Sequence, residues 1–274
     1  MEVNLHTFTN SSNLAYDYRS ELEHLLKKGS DKYDIYFYDI TYSTKYYEYF
    51  MDITDLMSEE QKSWYSTGVA SQTCILNGRW VGLPVNINYR ILYSNTNLLK
   101  KHKREIPTTW DELLETGKYI LNKEKDEGNT DLIGYNGFIP EYETNLSSVE
   151  EFIYSYRDYI FSPYPDYQSD EAINALKKLK EIKNEISSVN SVYTKTNLVG
   201  GKNGLSGTTI GGYNIGINNN INKSHKRLAI EAFKFITSKA TQKKYLIKSQ
   251  TLSAIDSLYD DPEKCNSRRY GFEN

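Results

Sequence analysis

A chain of 274 residues can bury a sizeable core, as one large domain or two ordinary ones, without help from disulfides or metals. Its net charge of −3, with both signs interspersed, excludes the basic footprint of a nucleic-acid binder. Charged residues at 25% and hydrophobic ones at 38% place it among globular rather than disordered chains.

Met1-Glu2-Val3-Asn4-Leu5 lacks the charged and apolar regions of a signal peptide, so the chain reads as cytoplasmic or as a mature segment of something longer. Residues 13–28 carry Leu14, Tyr18, Leu22, Leu25 and Leu26 at helical spacing, with Gly29 as the stop. Tyr33 to Tyr38 predicts a short strand around Ile35 and Phe37, followed by a tyrosine-dense stretch. Asn77-Gly78 is a turn signal, with a strand after it over Arg79 to Pro84 and another over Asn86 to Ser94. Thr109-Trp110-Asp111-Glu112 has the form of a capping box, predicting a helix to about Leu121. Ser147 and Glu150 repeat that device for a helix to about Tyr159, and Pro163 and Pro165 break the chain after it. Residues 170–186 are helical, with Ala172, Ile173, Leu176, Leu179, Ile182 and Ile186 on one side. Residues 200–216 are glycine-rich and end in a strand at Ile215 and Ile217. Residues 225–248 form one or two helices, with Leu228, Ala229, Ala232, Phe233, Ile236 and Leu246 inward. Strands alternating with helices predict an α/β architecture of mainly parallel sheets.

Catalytic and cofactor signals are weak. The glycine-rich run matches neither the Walker pattern nor G-x-G-x-x-G before a helix, and turns or a close backbone approach explain it better. His6, His24, His102 and His225 lack ligand or triad spacing, and Cys74 and Cys265 make neither a zinc site nor a disulfide framework. Asp39, Asp52, Asp55, Glu141 and Glu143 could supply a glycosidase pair, but carboxylates this frequent give such pairs by chance. No metal, no cofactor and no catalytic residue is expected. Recognition chemistry remains. The chain holds 25 Tyr against 9 Phe and 3 Trp, and tyrosine joins an apolar ring to a polar tip. A sugar presents C–H faces to such rings and hydroxyls to Asp, Asn and Glu. Tyr38 to Tyr42, Asn86 to Tyr89, Tyr135-Asn136 and Gly212 to Asn214 mix these types densely.

Those segments resemble the maltose-binding-like branch of the extracellular solute-binding proteins that serve ABC importers. The similarity lies in the strand Tyr33 to Asp39 with Met51-Asp52-Ile53-Thr54-Asp55-Leu56, and in Asn77 to Pro84 with Tyr89 to Leu99. It continues through Pro107 to Leu113, Gly211 to Ile217, Ala229 to Lys244, and Ser253 to Glu263. The resemblance implies a periplasmic binding protein-like II fold: two α/β lobes, a hinge and an interlobe cleft. Lobe 1 would be 1–92 with 215–254, and lobe 2 would be 93–214 with the tail 255–274. A family stretch between the 170–186 helix and the glycine-rich strand is missing, so lobe 2 is expected to be shortened. The implied ligand is a mono- or oligosaccharide, held by Asp39, Tyr42, Asn86, Asn88, Tyr89, Tyr135, Glu141, Tyr142, Tyr213 and Asn214, with Trp64 as a possible stacker. The implied setting is extracellular, with a transporter or receptor in the membrane as partner. Similar modules also occur as ectodomains of fungal receptors resembling class C G-protein-coupled receptors, and that branch is the preferred context.

Overall fold

A computed structural model describes residues 4–7, 14–66, 68–89, 92–136, 144–187, 210–249 and 251–260. The chain divides into two compact units, residues 1–88 with 210–274 and residues 89–209.

The first unit opens with helix α1 (Leu14–Lys27). Gly29 ends it at a φ of +65°, with Ser30 N–H bonding the Leu25 carbonyl and Gly29 N–H that of Leu26. These two bonds make a Schellman stop, in which glycine takes the left-handed position without a Cβ penalty. Strand β1 (Ile35–Asp39) follows, then helices α2 (Ser43–Tyr46), α3 (Glu59–Tyr65) and α4 (Val69–Thr73). Strands β2 (Ile75–Leu76) and β3 (Arg79–Trp80) pair across Asn77 and Gly78, both at positive φ as a two-residue hairpin turn requires. Strand β4 (Leu83–Asn88) closes this part, shorter than the strand predicted to Ser94.

The second unit holds α5 (Thr96–Lys101), α6 (Trp110–Asp126), α7 (Thr144–Tyr154) and α8 (Asp170–Ile186). The capping box at Thr109 and Glu112 forms in both directions. Helix α7 starts at Thr144 and stops at Tyr154, so Ser147 lies inside it rather than capping it. The buried side of α8 is Ala172, Ala175, Ile182 and Ile186, while Ile173 and Leu176 are exposed. Small residues face inward because α6 and α7 both pack on α8, around Trp110, Phe152 and Ile153.

The chain then returns to the first unit through β5 (Gly211–Ile217), α9 (Lys223–Ile236) and α10 (Lys239–Ser249). Ala229, Phe233 and Leu246 are buried and Leu228 is exposed. The main sheet runs β1-β5-β4, and β5 is antiparallel to both neighbours. This corrects the expectation of mainly parallel strands: the late strand inserts between two early ones and runs against them. Ile53, Tyr65, Leu83, Ile215, Ile217, Phe233 and Ile255 share the core on one face of this sheet. On the other, Leu22, Leu25 and Leu26 of α1 meet Tyr36, Tyr38 and Phe50. Tyr38 and Phe50 stack at 4.8 Å, and such a ring pair adds about 0.5–1.5 kcal/mol beyond its buried area. Ile255 and Leu258 also pack into the first unit, which places the described part of the tail there rather than with lobe 2. The unit boundaries fall at 88/89 and 209/210, a few residues before the expected 92/93 and 214/215.

Candidate functional site

One end of the main sheet collects the polar residues. Successive residues of a strand point to opposite faces, so Ile217, Ile215 and Tyr213 share one face of β5. Ile217 and Ile215 are fully buried, but Tyr213 is 43% exposed, so this face leaves the core at its last row. In that row Asp39 of β1 and Asn86 of β4 are both Cα partners of Tyr213. Residues directly opposite in an antiparallel pair present side chains to the same side. Asp39 and Tyr213 therefore sit together at the carboxyl end of β1, where its ladder stops.

Each group is fixed. Asp39 caps the turn after β1: its Oδ1 accepts from Thr41 N–H at 2.9 Å and from Thr41 Oγ1 at 2.7 Å. Oδ2 carries no bond among the described residues and remains an acceptor. The Tyr213 phenol is pushed up from its ordinary value, first by burial and then by the Asp39 charge, so it stays protonated and can donate. A register shift between Pro84 and Asn86 lets the Asn86 side chain turn inward and accept from Tyr213 N–H at 3.0 Å. Its amide nitrogen is then left as a donor. The shift depends on Gly212, whose φ is +135° and where a Cβ would lie 2.3 Å from the Asn86 carbonyl oxygen. Asn88 lies exposed at the end of β4, opposite Gly211. Tyr42, half-buried just beyond Asp39, accepts from Arg19 Nη1 at 3.2 Å, with the guanidinium 5.3 Å from its ring centre.

Other expected residues lie elsewhere. Asn214 follows Tyr213 and so faces the opposite way: it is fully buried and its Nδ2 donates to Ser43 Oγ at 3.1 Å. Trp64 is partly buried against the main core of the first unit. Tyr135 is buried in the second unit's core, edge-on to Trp110 at 6.3 Å, with its N–H on the Ile186 carbonyl. Tyr89 is 38% exposed. Glu141 and Tyr142 lie outside the described residues. Thr41, within the Tyr38 to Tyr42 segment, is the residue that fixes Asp39. Asp39-Ile40-Thr41 and Asp52-Ile53-Thr54 are the same tripeptide, and both fold with the threonine N–H and hydroxyl on the aspartate Oδ1.

The row offers a carboxylate acceptor, an amide donor and a protonated phenol beside an exposed ring. That set suits hydroxyl groups. Among the described residues no group of His, Cys, Asp and Glu could hold a metal ion. Cys74 is fully buried and burial pushes its thiol up to about 12, which makes it a core residue and no nucleophile.

A family model described as bacterial extracellular solute-binding protein matches residues 10–204. The chain belongs to that family. Its members are extracellular binding proteins, and no helix among the described residues is long and apolar enough to cross a membrane. The solute-binding chain has the fold of type II periplasmic binding proteins, as its likeness to solved structures shows. Maltose-bound T. maritima MalE3 is similar at a TM-score of 0.69 and 20% identity, over 96% of this chain and 76% of that one. The GacH receptor of Streptomyces glaucescens, solved unliganded and with acarbose, is similar at 0.68 and 14% identity, over 94% and 74%. An ABC transporter solute-binding protein from Thermotoga lettingae, bound with α-D-tagatose, is similar at 0.65 and 16% identity, over 90% and 73%.

Proposed function

We propose that this chain binds a small carbohydrate, a mono- or oligosaccharide, and releases it unchanged to an ABC importer in the membrane. The observation that carries this reading is the registered row of Asp39, Tyr213 and Asn86. It combines an acceptor carboxylate, a phenol and an amide donor at the point where the strand face leaves the core. Asp39 takes two sugar hydroxyls on its remaining lone pairs, Asn86 and Asn88 donate, and the Tyr213 ring covers a C–H face. Similar proteins whose structures hold maltose, α-D-tagatose or D-mannitol support polyhydroxylated ligands as the class. Nothing in the row requires turnover: it has hydrogen-bonding groups for the ground state and a single carboxylate.

A thermal-shift screen against sugars, polyols, amino acids and polyamines tests the class. A true ligand at a hundred times its Kd stabilises the fold by about 2.7 kcal/mol, which is read as a rise of several degrees in Tm. Shifts from sugars or polyols support the reading. Shifts confined to amino acids or polyamines, or hydrolysis of a chromogenic glycoside, reject it.

A further inference from the structure

Charges of both signs are interspersed along most of the chain, but not on α9 and α10. From Lys223 to Lys248 there are eight lysines and arginines against one acid, Glu231, in a chain that carries 33 against 36 as a whole. A block of one sign on folded helices is a local electrostatic footprint. Helix formation does not explain it: α9 opens with Lys223 and has no acid in its first turn, where the helix dipole disfavours cations. Lys223, Arg227 and Lys234 are exposed along one stripe of α9, at spacings of four and seven, and Lys244 and Lys248 share the outer side of α10. None of these five forms an ion pair among the described residues, not even with Glu231, which is within helical reach of Arg227 and Lys234. Elsewhere lysines are engaged: Lys27 and Lys45 share Glu23, Lys101 bridges Glu124 and Glu127, and Lys178 joins Asp111 to Glu181. Large apolar side chains stand among the free cations. Leu228 and Phe235, seven apart, line the stripe beside the basic one on α9, with Phe235 68% exposed. Tyr245, 51% exposed, and Ile247 flank Lys244 and Lys248. Ala229, Phe233 and Leu246 on the inner side belong to the core, so only the outer side is available to a partner.

We infer that the outer side of α9 and α10 docks the chain on an anionic lipid surface, with its cations against the headgroups and Phe235 and Tyr245 in the interfacial layer. The chemistry separates this occupant from an acidic protein. Four of the five cations are lysines, which protein interfaces deplete, and a folded partner would need carboxylates fixed at matching positions. Anionic lipids gather under lysines in any arrangement. Long lysine stems also let their apolar neighbours reach the acyl boundary while the ammonium groups stay in water. The inference does not rest on the sugar row.

Flotation of the whole chain with phosphatidylcholine vesicles, with and without about 30% phosphatidylglycerol, tests this. The expected result is flotation with the anionic vesicles alone and release by about 0.5 M sodium chloride, which screens the attraction. Lys244→Glu combined with Lys248→Glu should lower binding at least about tenfold, and Phe235→Ala about threefold at unchanged charge. Both should melt at the wild-type temperature, since these side chains lie outside. Lys123→Glu combined with Lys125→Glu, also exposed but on α6, changes the net charge equally and should float like wild type. Absence of flotation with anionic vesicles, equal flotation with neutral ones, or an equal loss in the α6 pair overturns the inference. So does retention on immobilised polyglutamate by a chain that does not float, which would assign the face to an acidic protein.

Discussion

The two units are built by different routes. In the first, the row Asp39–Tyr213–Asn86 joins residues far apart in sequence and exists because β5 inserts between β1 and β4. In the second, α6, α7 and α8 pack by helix periodicity. An arrangement built on sheet register is sensitive to distant backbone changes, and one built on local chain is sensitive mainly to its own residues.

The largest test of that contrast is Trp110→Ala. Trp110 is buried, stacked on Phe152 at 4.1 Å, and its Nε1 donates to Ser155 Oγ at 2.8 Å. Its loss should cost about 3–5 kcal/mol in urea unfolding. Hydrogen exchange should show that cost in α6 to α8 while β5 keeps its protection. Equal loss in β5 would mean that the two cores are not separate. Next comes Gly212→Ala. A Cβ would meet the Asn86 carbonyl oxygen at 2.3 Å from a φ of +135°, so about 2–3 kcal/mol should be lost. Exchange should then rise in β4 and β5 and not in α8, and sugar affinity should fall with it. Thr109→Ala removes the cap of α6 and should cost about 1 kcal/mol, confined to the second unit.

Acid sensitivity gives the finest comparison. Lys101, Asn129 and His102 hold Glu124 down to about 2 in the second unit, and Lys27 and Lys45 hold Glu23 down to about 2 in the first. A carboxylate with a depressed folded value stabilises the fold above its unfolded value of 4.5, and that stability is lost as pH falls toward 2. Glu124→Gln and Glu23→Gln should each flatten the fall in Tm across that window. Added salt should shrink the Glu23 effect more, because its lysines are exposed while His102 is buried beside Glu124.

Local signals were legible in the sequence: the Gly29 stop, the Asn77-Gly78 turn, the capping box at Thr109 and the helical character of 225–248, though not its division at Thr237 and Ser238. The register brings Asp39, Asn86 and Tyr213, from three of the sequence's polar segments, into one row. Strand direction was not legible, since alternation of strands and helices does not reveal a late strand inserting between early ones. The pairing of Tyr213 with Asn214 was a misreading that strand period alone corrects, as neighbours on a strand cannot share a face. Tyr135 was misread because a tyrosine beside an asparagine looks the same in a core as on a rim.

The most direct test is calorimetric titration of Asp39→Asn and Asp39→Ala against the sugar that raises the wild-type Tm. Asp39→Asn keeps an oxygen to cap Thr41 and removes only the charge. Loss of one charge-assisted bond, about 1.5–3 kcal/mol, predicts an affinity lower by about ten- to a hundredfold in both variants, with Tm held in Asp39→Asn. Wild-type affinity in both would contradict the account, because the row where β1 and β5 leave the core would then not be where the sugar is held.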